Sequence, residues 1–527
     1  MKYPARLLLF IILVLFAFRC GTTAAPTKTP APPMPDYWPT DGWKTSTPEE
    51  QGISSKALAE AVKFIQEEDF HVHSMTVIRN GYIVADAYFY PYAPGFMHDL
   101  ASCTKSFTST LIGIALKDGH IESLDQPLLS FFPERTAANL DERKMAITLE
   151  DVLMMSSGLE CHAEPVEVTL FQMMGSQDWI QFMLDLPMSD EPGARFVYCS
   201  GGSHLLSAII HETTGMDALA FARLHLFGPL GITDVAWPYD PQGINNHGWG
   251  DLHLSPHDMA KLGYLYLNNG MWDGQQILSP EWVSAATNRH VSFRLRRYFN
   301  GYGYQWWTDT SGFYGARGRG GQRIIVVPET NMVIVFTGGD GSRRAENKRA
   351  RLVKTILIPA AESRGALPEN PEAFASLQSV VRNAARAPEG DRKPAPALPR
   401  MAAEISGRTY ALENNRFGLV TCSLSFDKQD EALFHLTLNP AITGMDELEL
   451  PVGLDNMFRI TPGGRFGLPV AMKGFWQTDN TFVIHFDEIG NINNWRISMT
   501  FEGAGIDVLM EDMTGLGSAR FGGTMQK

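Results

Sequence analysis

Ala101-Ser102-Cys103-Thr104-Lys105-Ser106-Phe107-Thr108-Ser109-Thr110 is the stretch whose reading decides the fold of this 527-residue chain. It leads into an apolar run from Leu111 to Leu116 that stops at Lys117-Asp118-Gly119-His120, the pattern of a buried helix and its end. A three-residue spacing on a helix puts Ser102 and Lys105 on one face, with an amine beside a hydroxyl. A serine hydroxyl is a poor nucleophile until a neighbour takes its proton, and an amine can do so only where its charged form is disfavoured. The positive end of a helix opposes a second cation and favours negative charge on the serine oxygen. Ser102 is thus a candidate nucleophile. The spacing alone is weak evidence, because Ser425 and Lys428 repeat it within Ser423-Leu424-Ser425-Phe426-Asp427-Lys428, an alternating stretch that reads as strand and turn.

Upstream of this helix, Met75 to Ala85 carries Asn80-Gly81 between two β-prone runs, which predicts a hairpin preceded by a helix through Leu58, Val62 and Ile65. Downstream, residues 124–286 read as helices with punctuating loops. Ile147 to Met155 is a capped helix start, a helix beginning at Gly202 closes at Gly215, and Asp217 to Phe227 ends at Gly228-Pro229. Strand character returns at Tyr302 to Trp307 and in the pair Arg323–Val327 and Met332–Phe336, followed by a closing helix from Arg343 to Ala361. The expected fold class is α/β: an antiparallel sheet flanked by helices, beside an all-α region. Proline and alanine accumulate from 363 to 400 and predict a linker. Short β-prone runs separated by Gly, Asn and Asp then predict a small antiparallel β-barrel or sandwich over 401–527.

Lys plus Arg at 44 against Asp plus Glu at 58 gives a net charge of −14, which argues against a nucleic-acid partner. Arg289, Arg294, Arg296 and Arg297 form a local basic patch, read first as a solvated face and second as a hold for an anionic substrate. Lys2 and Arg6 precede an apolar run from Leu7 to Phe18, which has signal-peptide length and predicts export. Cys20-Gly21 follows, so residues 1–20 resemble a bacterial lipoprotein signal with Cys20 as the lipid and membrane attachment point. Arg19 stands where a small residue is expected, and cleavage near Ala24 or Ala25 is the rival reading. Residues 21–45 are a Thr/Pro/Ala-rich tether, with folding beginning near Ser46. Of five cysteines, Cys161 and Cys199 are the pair we assign to one bridge in an exported chain, against a rival reading of buried free thiols. No metal-ligand spacing appears, and His162, His204, His211, His247 and His253 read as structural.

Together these residues resemble the serine β-lactamase and penicillin-binding superfamily, in its class C β-lactamase-like branch of esterases and 6-aminohexanoate-dimer hydrolases. The likeness covers Ser46 to about residue 362 and rests on three motifs. Ser102-x-x-Lys105 matches the serine that forms an acyl-enzyme and the lysine that belongs to its base. Phe196-Val197-Tyr198-Cys199-Ser200 stands where the branch carries Tyr-x-Asn, which makes Tyr198 the family tyrosine and puts Ser200 in place of the asparagine. Ala316-Arg317-Gly318-Arg319-Gly320-Gly321-Gln322 stands where the family has Lys-Thr-Gly or His-x-Gly on an edge strand. Aligning Arg319-Gly320-Gly321 with that motif makes the Gln322 N–H the oxyanion partner of the Ser102 N–H, and the alternative register brings Arg317 and Gly318 there. Trp249, Tyr304, Trp306 and Trp307 are read either as pocket lining or as ordinary packing. The resemblance implies an exported serine hydrolase acting on a small ester or amide, with no metal or organic cofactor. Two alternatives stand beside it: D-alanyl peptidase or β-lactamase activity, and a non-catalytic surface binding protein.

Overall fold

The computed structural model describes residues 35–163, 167–294, 298–515 and 517–526. The leader, Cys20, Ala24, Ala25, Arg296 and Arg297 lie outside the described residues.

Helix α1 (Ser55–Glu68) starts where the Ser54 hydroxyl accepts the Ala57 N–H, and it buries Leu58, Val62 and Ile65 on one face. The expected hairpin follows as β1 (Val72–Arg79) and β2 (Tyr82–Tyr88), with both Asn80 and Gly81 at the positive φ that such a turn requires. A 3-10 turn, Ala101–Cys103, feeds α2 (Thr104–Lys117). The helical region includes α3 (Ser200–Thr214), closed by Gly215 in the left-handed conformation, and α4 (Pro256–Leu267). The chain then returns to the sheet with β3 (Tyr314–Arg317), β4 (Arg323–Val327) and β5 (Met332–Gly338), and α5 (Arg343–Leu352) follows. The antiparallel sheet runs β2-β1-β5-β4-β3 and continues through Trp307–Thr308, Gly301–Tyr302 and Val291–Ser292.

Both faces of this sheet are covered, so its central strands are apolar throughout. Ile324, Val326, Val333 and Val335 pack toward α2, α3 and α4, while Ile325, Val327, Ile334 and Phe336 pack toward α1 and α5. The 363–400 segment departs from the expected linker, because it holds α6 (Pro371–Ala384). Asn370 caps that helix and Pro371 opens it, and an apolar face of Phe374, Leu377, Val381 and Ala384 joins the α1 side of the core. Burial of Leu377 contributes about 1.5–3 kcal/mol, and the half-buried Phe374 and Val381 add to it, which orders a stretch whose proline content alone suggests a tether.

After α7 (Arg400–Ile405) come β6 (Arg408–Leu412), β7 (Leu419–Ser425), β8 (Glu431–Leu438), β9 (Glu447–Gly453), β10 (Arg459–Thr461), β11 (Val470–Trp476), β12 (Thr481–Glu488), β13 (Asn494–Glu502), β14 (Gly505–Asp512) and β15 (Gly517–Met525). The sheet order is β9-β8-β7-β6-β15-β14-β13-β12-β11-β10, and a parallel bridge from Gly453 to Lys473 closes β9 on β11. The expected β domain is therefore a barrel. Strands such as β8 and β14 alternate buried and half-exposed residues, with Ala432, Phe434, Leu436 and Val508 facing inward.

Candidate active site

Ser102 sits in the 3-10 turn entering α2, one residue after Ala101, which holds a positive φ of 44°. The Asp99 carboxylate accepts the Ala101 N–H at 2.7 Å and fixes this strained turn. The close spacing expected of Ser102 and Lys105 is present: Lys105 Nζ donates to Ser102 Oγ at 2.9 Å and to the Trp249 carbonyl at 2.8 Å. Lys105 is only 1% exposed. Burial pushes its amine down to about 8, against the opposing pull of Glu167 and Asp251.

Tyr198 precedes α3 and completes the cluster, with Lys105 Nζ 4.9 Å from its ring centre and Ser102 within hydrogen-bonding reach of its phenol. Burial, reinforced by the Glu167 charge, raises this phenol far above its ordinary value, and the Ser102 contact only partly opposes the rise. The two candidate bases are thus pushed apart: the amine is the group readily emptied of its proton, while the phenol keeps one. A disulfide joins Cys199 to Cys161 and ties the loop at 160–163 to the residue after Tyr198.

Ser102 and Tyr198 face a cleft of about 710 Å³. Phe196, Tyr198 and Trp307 line part of it, and Glu160, Glu167 and Arg195 bring charge. The Tyr198 and Trp307 rings stack at 6.1 Å. Arg317 lies over the Trp307 ring and pairs with Glu346 at 3.2 Å. Burial opposes the Glu346 charge, but Arg323, Arg349 and Arg317 outweigh it and hold the carboxyl down at about 2.

The third motif occupies the place expected of it, in a different register. Gln322 is fully buried behind the cleft, where its side-chain amide donates to the Arg319 and Gly338 carbonyls and its side-chain oxygen accepts the Gly338 N–H. Gly320 and Gly321 lie in a 3-10 turn and likewise do not line the cleft; Arg317, Gly318 and Arg319 do. The Gly318 carbonyl faces β4, where it accepts the Gly321 N–H at 3.3 Å and Arg323 Nη1 at 2.8 Å. Across a trans peptide the Arg319 N–H points the opposite way, away from β4. Gly318 is needed there, because a Cβ would meet the Leu100 carbonyl oxygen at 2.3 Å. The Arg319 guanidinium is turned to the barrel, donating to Asn493 Oδ1 at 2.6 Å and Thr514 Oγ1 at 3.2 Å. The Asp99 N–H likewise donates to the Gly490 carbonyl of the barrel at 2.7 Å.

Other placements differ from expectation in instructive ways. Ser200 is buried at the start of α3 and lies outside the cleft lining, its N–H donating to Glu167 Oε2 at 3.2 Å. Trp249 contributes its carbonyl to Lys105, while its ring stacks on His247 inside the core. Trp306 is fully buried against Tyr266. Adjacent strand residues face opposite sides, so Trp307 takes the cleft position that Trp306 cannot. Glu167 belongs to no motif in the sequence, where it follows Glu160 and Glu164 in a short acidic stretch.

The Beta-lactamase family profile matches residues 59–356. The chain is 24% identical over 311 residues to the 6-aminohexanoate-dimer hydrolase of Paenarthrobacter ureafaciens, covering 55% of this chain and 79% of that protein. It is 26% identical over 190 residues to the lovastatin esterase of Penicillium rubens, covering 32% of this chain and 46% of the esterase. A solved structure assigned as a 6-aminohexanoate-dimer hydrolase from Bacillus anthracis superposes with a TM-score of 0.51 at 20% identity, covering 62% of this chain and 89% of that one. With a family match that spans more than half of its length, this chain belongs to the beta-lactamase family and is a serine hydrolase.

Proposed function

We propose that the protein cleaves a small ester or amide through an acyl-Ser102 intermediate. The observation that carries this reading is the 2.9 Å contact between Lys105 Nζ and Ser102 Oγ, made by an amine whose site brings it down to about 8. In acylation the Ser102 hydroxyl gives its proton to Lys105 as Oγ bonds to the carbonyl carbon, and the carbonyl electron pair moves onto oxygen. The Ser102 and Arg319 N–H groups receive that oxyanion. The pair then returns to carbon, the bond to the leaving group breaks, and Tyr198 hands the leaving group a proton that Lys105 replaces. Water repeats the sequence on the acyl-enzyme and frees the acid.

The names of the two relatives, an amide hydrolase and an esterase, support this substrate class. The aromatic wall of Phe196, Tyr198 and Trp307 supports an apolar acyl or leaving group. Export fits the Cys161–Cys199 disulfide, since such bonds persist in oxidising compartments. Mass spectrometry of the mature N-terminus discriminates a lipidated Cys20 from an unmodified start beyond it. For the activity, the test is fluorophosphonate labelling with site mapping, followed by turnover on short-chain esters and amides. A label on Ser102, with loss of turnover in Ser102→Ala, is the expected result. Full turnover in that variant sinks the proposal, and a lasting penicillin adduct on Ser102 redirects it to cell-wall peptides or β-lactams.

A further inference from the structure

The barrel interior is divided along its axis. At one end Phe426, Trp476, Phe482 and Phe501 fill the space, and α7 lies against it through Met401 and Ile405. At the other end the inward residues leave a cavity of about 350 Å³ lined by Leu436, Leu438, Trp495, Met499, Val508 and Met510. That volume lies within the usual size of small-molecule sites, about 300–1,000 Å³. A barrel wall of leucine, valine and methionine gives a guest dispersion contacts, and its methionines adapt to shape. Two charged groups stand at this end. Glu488 accepts the Asn491 side-chain amide at 2.6 Å. Arg465 is exposed, lies 4.7 Å from the Phe466 ring centre, and forms no ion pair among the described residues. An apolar shaft ending at Arg465 is complementary to a chain with one negative end, a head that shares the mouth with Glu488 and shares the Arg465 charge with the Asp251 carboxylate, which that cation also attracts.

We propose that the barrel binds a medium-chain aliphatic carboxylate, its tail in the cavity and its head at Arg465. This site is separate from the cleft and does not rest on the assignment of Ser102. The first measurement is displacement of dansyl-labelled undecanoate from the full chain. Decanoate should displace it about fifteenfold better than octanoate, since each buried methylene tightens binding about fourfold. Prior labelling of Ser102 with a fluorophosphonate should leave binding intact. Leu436→Trp or Val508→Phe, which fill the cavity, should weaken binding at least about tenfold while ester turnover is unchanged. Arg465→Ala should weaken decanoate and leave decanol unaffected.

Because a cavity-filling variant can misfold, a photoreactive diazirine decanoate applied to the unmodified chain supplies an independent reading. Adducts on the cavity-lining residues of β8, β13 and β14 support the site. Adducts confined to Phe196, Tyr198 or Trp307, loss of binding on Ser102 labelling, or equal displacement by octanoate and decanoate each overturn it.

Discussion

The chain carries two Ser-x-x-Lys spacings, and they have nothing in common beyond the spacing. Ser102 and Lys105 enter a helix, so their side chains meet, and Lys105 is enclosed with two oxygen acceptors. Ser425 ends strand β7, and Lys428 stands in the following turn, fully solvated, paired with Glu431 at 2.7 Å. That hydrogen bond raises the Lys428 amine, whereas burial lowers the Lys105 amine. The comparison separates pattern from chemistry. A lysine acts as a base only where solvent has been taken away and a serine stands within reach.

The sharpest way to break this contrast is to remove each hydroxyl in turn. Ser102→Ala should lower kcat by about 10⁴-fold or more, the scale seen when a nucleophile is removed; Ser425→Ala should leave the rate within twofold, about the scatter of a neutral surface change. Steady-state kinetics on one activated ester reads both. Next, Lys105→Met should cost about 10³-fold through loss of the base, and Lys428→Met should cost nothing measurable. Equal losses from the two lysines would erase the distinction. Tyr198→Phe keeps the ring and removes only the proton donor, so a smaller loss of about 10²-fold is expected, larger for amides than for activated esters because an amine leaving group needs the proton more.

The pH dependence sharpens the same point without mutation. Lys105 accepts a proton only when neutral, and its site places that change at about 8. The kcat/KM should therefore rise with pH and level off above about 8, while a profile flat from pH 6 to 9, a window spanning that midpoint, would assign the base elsewhere. The smallest effect on the chemistry is expected from Cys161→Ser with Cys199→Ser. Opening a bridge across 38 residues should lower stability by about 3–4 kcal/mol, read as a fall in Tm, with the Lys105 pH limb unmoved.

Much of this was legible in the residues. The Asn80-Gly81 turn, the paired strands β4 and β5 and the start of α2 each follow from local rules that tertiary packing reinforces. The third motif was legible in place but not in register. Gly320 adopts a positive φ of 77° within the 3-10 turn, so the chain leaves the strand one step earlier than a continuous alternation suggests, and Gln322 turns inward. Trp306 and Trp307 show a second limit. Two adjacent tryptophans must face opposite sides, yet only the neighbouring strands decide which of them meets the cleft. Glu167 marks a third, because its influence on Lys105 and Tyr198 acts through space, from a loop distant in sequence from both. Helix α6 was hidden for a different reason: proline at its first turn reads as a tether until the apolar face behind it finds α1.

The hold that Asn493 and Thr514 exert on Arg319 has a consequence for the order in which the site comes into being. Thr514 emerges from the ribosome 195 residues after the arginine it steadies. Synthesis runs from the N-terminal end, and domains fold as they appear. Ser102, Lys105 and Tyr198 can be in place while the barrel is still being made, but the turn beside them gains its last anchors only when β14 has been completed. Completion of the site is thereby tied to the making of the barrel, and a catalytic half without it carries its reactive serine beside an unsecured wall.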